Sequence, residues 1–180
     1  QFNFSPPGAR SLGFGGAFLG LADDATTAYT NPAGLTNLSL PEVSFEGRSW
    51  KYTTEYVDYG NTGTATNTAD TCKNGVGDCV SGVQFGESDE TTSGLSFISV
   101  VYPRSNWAIA VYRHELANFA AEFKDQGSFY RTDSPQTDPG RYFPLWAKID
   151  LKVVNYGLSG ALRLSEQLSL GLGASYYQFD

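Results

Sequence analysis

The sequence has no methionine, one histidine and two cysteines, and each scarcity narrows what the chain can do. With His114 the sole histidine and no third thiol, the usual Cys/His zinc sites lack a ligand set. Glu115 follows that histidine, but no nucleophile motif surrounds the pair, so it reads as a polar feature near the rim of a strand and no enzyme is expected. Long apolar runs are missing as well. Nothing approaches the roughly 18–20 consecutive apolar residues of a membrane helix, and mean hydropathy is −0.29. This excludes a helical membrane protein and leaves a membrane barrel open, because barrel strands place apolar residues only at alternate positions. Basic runs are also absent: twelve Lys and Arg are scattered among nineteen acids, for a net charge of −7. Phosphate recognition needs clustered cations, so a nucleic-acid partner is excluded.

What is present points to β-structure. Twenty Gly, eleven Tyr and twelve Phe in 180 residues suit twisted antiparallel strands with aromatic anchors. Cys72 and Cys79 sit close together in a polar Gly/Asn/Asp loop, the pattern of a disulfide in an exported protein. The opening Gln1-Phe2-Asn3-Phe4 carries no signal-peptide pattern and looks like a processed N-terminus.

Residues 1–40 differ from the rest. Pro6-Pro7-Gly8 breaks regular structure, Gly13, Gly15, Gly16 and Gly20 follow, and Leu12, Phe14, Phe18, Leu19 and Leu21 are the candidate apolar anchors. Asp24 is placed to cap a short helix through Thr30, which Asn31-Pro32 would end. From residue 41 the pattern predicts five strands: Glu42 to Val57, Ser93 to Tyr102, Trp107 to Ala120, Ala147 to Leu164 and Leu168 to Phe179. The connections run long (58–92), short (Pro103 to Asn106), long (121–145) and short (Ser165 to Gln167). Since antiparallel strands reverse direction, both short turns fall at one end, as in outer-membrane barrels. Tyr102 and Trp107 flank the first short turn, where interfacial aromatics belong.

The last strand sets Leu168, Leu170, Leu172, Ala174 and Tyr176 on one face and Ser169, Gly171, Gly173, Ser175 and Tyr177 on the other. The preceding strand continues both faces, with Tyr156, Leu158, Leu162 and Leu164 opposite Asn155, Gly157, Ser159 and Arg163. In a membrane barrel the leucines meet lipid; in a soluble sheet they form the core. Alternation alone favours neither. Its parity slips near Val153-Val154, where a bulge or an inward apolar residue would fit. Five strands cannot close a barrel, so the chain is expected to be part of something longer or one of several chains completing a wall.

Three clusters in the first segment carry a resemblance. Gly8-Ala9-Arg10-Ser11-Leu12-Gly13-Phe14-Gly15-Gly16-Ala17-Phe18, Ala22-Asp23-Asp24-Ala25 and Asn31-Pro32-Ala33-Gly34-Leu35 together resemble the opening of the FadL-type outer-membrane transport family. The match covers about thirty residues; the later strands agree only in style. The resemblance implies a monomeric, cofactor-free barrel of about fourteen strands in the bacterial outer membrane. Its N-terminal residues, Asn31, Pro32, Ala33 and Gly34 among them, would fold inward as a hatch. It further implies passive uptake of hydrophobic small molecules such as long-chain fatty acids, with lipid and lipopolysaccharide around the wall and an exit beside a kinked strand. Phe2 and Phe4 would lie near the inner ligand pocket. Gly13, Gly15 and Gly16 would let the hatch backbone approach the wall, and Arg10 would pair with a lumen acid or a ligand carboxylate.

Other readings are weaker. Gly13-x-Gly15 lacks a preceding strand and has Phe18 at the third glycine position, so it is no dinucleotide loop. Asp23-Asp24, or the loop acids Asp70 and Asp78, would bind calcium only as a less common alternative to capping. A structural barrel serving surface assembly or secretion, with protein partners on its long extracellular loops, is the main functional alternative. A secreted lipocalin-like binder would need eight strands where five are found.

Overall fold

The computed structural model describes residues 6–21, 23–63, 82–131 and 140–180. Phe2, Phe4, Asp70, Asp78 and the Cys72/Cys79 pair lie outside the described residues. Two short helices, α1 (Ala9–Gly13) and α2 (Thr27–Thr30), and a 3-10 turn (Pro32–Asn37) precede the strands. These are β1 (Glu42–Gly63), β2 (Val83–Pro103), β3 (Trp107–Asp125), β4 (Phe129–Arg131), β5 (Gly140–Arg141), β6 (Leu145–Arg163) and β7 (Ser169–Phe179). They form one mostly antiparallel sheet in the order β5-β4-β1-β2-β3-β6-β7. No described helix is long and apolar enough to cross a membrane.

The five long strands fall where the sequence puts them, but the polar stretches hold more strand than expected. β1 continues to Gly63, and β2 begins at Val83 rather than Ser93. Residues 83–92 were unreadable as a strand because both of its sides are largely polar, so no apolar alternation marks it. Cross-strand polar pairs hold it instead: Asp89 accepts from Thr53 at 2.6 Å and pairs with Lys51 at 2.7 Å. The stretch 121–145 also holds strand, in the end of β3 and in β4, whose backbone pairs in parallel with β1 from Asn61↔Phe129 to Gly63↔Arg131.

Two compact units are present. The first joins the N-terminal segment to the start of β1 through Trp50, to Thr92–Phe119 and to Asp150–Asp180; the second holds the described parts of Lys51–Thr91 and Ala120–Ile149. Both tight turns lie in the first unit. Arg104 N–H donates to the Trp107 carbonyl at 2.7 Å, and Leu164 N–H to that of Leu168 at 2.9 Å. The β6–β7 register runs unbroken from Val153↔Phe179 to Arg163↔Ser169, so this ladder has no bulge at Val153-Val154; both valines are buried.

The two faces of the sheet in this unit are unlike. One is covered by the N-terminal segment, and its core joins Phe97, Val101, Ala108, Ala110 and Ala161 to Ala25, Ala28 and Leu35. The other is bare among the described residues and carries the large apolar side chains: Val43, Phe45, Val100, Ile109, Leu158 and Leu172, the last 82% exposed. Of the five anchors expected in the N-terminal segment only Phe18 is buried; Leu12, Phe14, Leu19 and Leu21 are exposed. Ala25, Ala28 and Leu35 do the packing in their place.

Candidate functional site

The densest chemistry lies where the N-terminal segment meets the covered face. Gly8, at φ 98°, turns the chain into α1, and the carboxylate of Glu46 on β1 accepts from the first amides of that helix. Gly8 N–H reaches one oxygen at 2.9 Å and Ala9 N–H the other at 3.1 Å. A short helix leaves its first amides unpaired, so an acid from the sheet both satisfies them and suits the helix dipole. Arg48, two residues along the same face, donates to the Pro6 carbonyl at 3.2 Å.

Arg10 pairs within the segment, with Asp23 at 2.8 Å and Asp24 at 3.5 Å, and lies over the Phe18 ring at 5.6 Å. The hydrogen bond that Arg10 donates to Asp23 holds its guanidinium above the ordinary value. Asp24 accepts from Thr26 N–H at 2.9 Å and so fixes the turn just ahead of α2, two residues before the cap position that Thr26 occupies. The helix ends at Thr30, and Asn31 is extended (φ −153°), as a residue before proline must be. Asn31 donates to the Leu19 carbonyl at 3.0 Å, and Gly34 N–H closes back on the Asn31 carbonyl at 2.9 Å.

Gly15 and Gly16 have φ of 64° and 87°, which makes them turn residues. Close approach to the sheet is not their role: a Cβ on Gly13 or Gly15 would meet nothing within 4 Å, and one on Gly16 only Pro6 at 4.0 Å. The close approach is on the sheet side. A Cβ on Gly171 would stand 2.1 Å from Ala33 N and 2.5 Å from Pro32 C, so the Asn31–Gly34 turn rests on bare backbone. Hydroxyls of the covered face complete the seat. Ser159 donates to the Ala28 carbonyl at 2.6 Å, Ser99 to that of Ala25 at 3.4 Å, and Thr36 meets Ser169 at 2.8 Å. Arg163 donates to the Thr36 carbonyl.

A buried polar–aromatic cluster lies beside this seat, and the sequence reading missed it. His114, expected near a strand rim, is fully buried, 4.7 Å edge-on from the Tyr29 ring and 6.1 Å from Phe97. Tyr29 also packs edge-on against Tyr112 at 5.8 Å, and burial pushes its phenol above the ordinary value. Tyr112 lies across Gly157 and meets the Ser175 hydroxyl at 2.9 Å. Asn155 is fully buried, and neither atom of its amide has a hydrogen-bond partner among the described residues. Only the position of Asn155 on the Ser/Gly face of β6 could have signalled it. Glu115 is buried too; it accepts from Asn118 at 3.2 Å and lies 3.5 Å from Arg113 and 3.6 Å from Lys152. Among the described residues no cluster of His, Cys, Asp and Glu is built to hold a metal.

No family model, curated protein or solved structure matches the chain.

Proposed function

We propose that the chain supplies part of the wall and the inward-folded hatch of an outer-membrane β-barrel, through which hydrophobic compounds such as long-chain fatty acids enter passively. The observation that carries this reading is the sidedness of the first unit. The N-terminal segment is hydrogen-bonded to the Ser/Gly/Asn face, while the leucine face is bare. In water, leaving one leucine exposed forgoes about 1.5–3 kcal/mol, and a contiguous patch of such residues marks contact with lipid or another protein. Against a net stability of roughly 5–15 kcal/mol, a whole bare sheet face calls for an apolar surrounding, lipid or protein.

The limits of that face support a bilayer. On β6 and the residue that follows it the exposed apolar positions run from Leu164 to Tyr156, and beyond buried Val154 come Lys152 and Asp150. On β3 they run from Trp107 to Val111, and Arg113 follows. The nine residues from Tyr156 to Leu164 accord with the ~9–11 residues of a tilted transmembrane strand. Aromatics edge it at both ends: Tyr102 and Trp107, 6.3 Å apart, on the turn side, and Tyr156 and Tyr176 on the other.

Within this reading the segment around Asn31, Pro32, Ala33 and Gly34 is a hatch seated by a few hydrogen bonds and alanine contacts, which suits a part that must move. Exposed Leu12, Phe14, Leu19 and Leu21 offer an apolar solute surface on it. The alternation of β3 breaks at the consecutive buried pair His114-Glu115, and the exit through the wall is assigned there. The test is uptake of labelled oleate by outer-membrane vesicles with and without the full-length protein. Faster, saturable uptake with the protein is expected; identical rates would overturn the transport reading.

A further inference from the structure

The bare face is not uniformly filled. Along β6 its outward side chains are large except at Gly160, which pairs with Leu172 of β7. The gap opens a groove of about 720 Å³ walled by Trp107, Ile109, Leu162, Leu170 and Leu172. A second groove, against Val111, Tyr156 and Tyr176, shares Leu158 and Ala174 with it. From Leu162 to Tyr156 is six residues, about 20 Å of strand. That suffices for one acyl chain, which occupies half of a ~30 Å hydrocarbon core. The groove holds almost nothing that would bind a polar group.

Its turn end is different. Arg104 lies over the Tyr102 ring at 4.8 Å and donates to the Tyr102 hydroxyl, and the Tyr102 ring lies 6.3 Å from that of Trp107, which lines the groove. Arg104 is exposed, and no carboxylate pairs with it among the described residues. A fixed guanidinium presents its fork of donors to phosphate. An apolar slot one acyl chain long, ending on a cation at the aromatic edge, has the complementarity of a membrane phospholipid.

We infer that this face binds one glycerophospholipid of the turn-side leaflet, an acyl chain in the groove over Gly160 and the phosphate on Arg104. The inference rests on the membrane reading above. A second copy of the chain would not use Arg104, and lipopolysaccharide would approach from the opposite end. Gly160→Leu fills the groove without a clash, since a Cβ there has no neighbour closer than 3.8 Å. Arg104→Gln removes the charge from an exposed turn.

The test is native mass spectrometry of the full-length protein taken from membranes in mild detergent, with the retained lipid identified. The wild-type protein is expected to carry one phospholipid, and each variant at least fivefold less of it while still fractionating with membranes. A membrane-borne wild type without phospholipid, variants that retain it equally, or a bound second chain or lipopolysaccharide would overturn the groove assignment alone. A wild type absent from the membrane fraction would overturn the assignment and the membrane reading together.

Discussion

Gly171 and Gly13 make opposite predictions from the same residue type. A side chain at Gly171 collides with the backbone of Ala33, so Gly171→Val is expected to lift the 31–34 turn at a cost of about 1–3 kcal/mol, the usual range for overpacking. Gly13 has open space and an ordinary φ, so Gly13→Ala is expected to change stability by no more than about 0.5 kcal/mol. Limited proteolysis of the N-terminal segment checks both: faster cleavage in the first variant, an unchanged rate in the second. Ser159→Ala leaves the buried Ala28 carbonyl without its 2.6 Å donor and is expected to cost about 1–3 kcal/mol, read as a lower unfolding midpoint. At this scale the sequence was half legible. Asn31-Pro32 announced the end of α2 because proline restricts its neighbour, but the partner of Arg10 was not legible: a lumen acid or a ligand carboxylate was expected, and Asp23 of the same segment takes that place. Which of Leu12, Phe14, Phe18, Leu19 and Leu21 would be buried was not legible, since in an irregular segment no periodicity fixes a side chain's direction.

Among the elements, β6 and β7 could be read almost residue by residue, because strict alternation with Ser/Gly opposite Leu is a period-two signal that a tight turn then registers. The stretch Val83–Thr91 could not, because its pairing depends on polar partners distant in sequence. That dependence makes it sensitive to acid. Hydrogen bonds from Lys51 and then Thr53 hold the Asp89 carboxyl below its ordinary value, and this group lies outside the apolar stretch of β2. A carboxyl depressed in the folded state stabilises above its unfolded value and loses that contribution as pH falls through the folded one. Amide protection in Val83–Thr91, corrected for intrinsic exchange, is therefore expected to fall once pH drops below about 4. In Asp89→Asn the same amides start less protected and lose the acid response. An unchanged acid response in that variant would assign it to other groups.

For the molecule as a whole, the unresolved question in the sequence was which face of the alternating strands meets the interior; the same pattern serves a soluble core and a lipid-facing wall. Hydrogen bonds from Ser99 and Ser159 to the N-terminal segment answer which face is covered, and the lipid around the other face is the proposal that follows. The most direct test places a nitroxide in turn at Leu170, Leu172, Ser159 and Gly173 of the full-length protein in liposomes and measures collision with oxygen and with a water-soluble nickel chelate. The account predicts that Leu170 and Leu172 collide freely with oxygen and little with the chelate, while Ser159 and Gly173 are shielded from oxygen. Leucine positions open to the chelate, or shielded from both, would contradict it and place that face against water or protein.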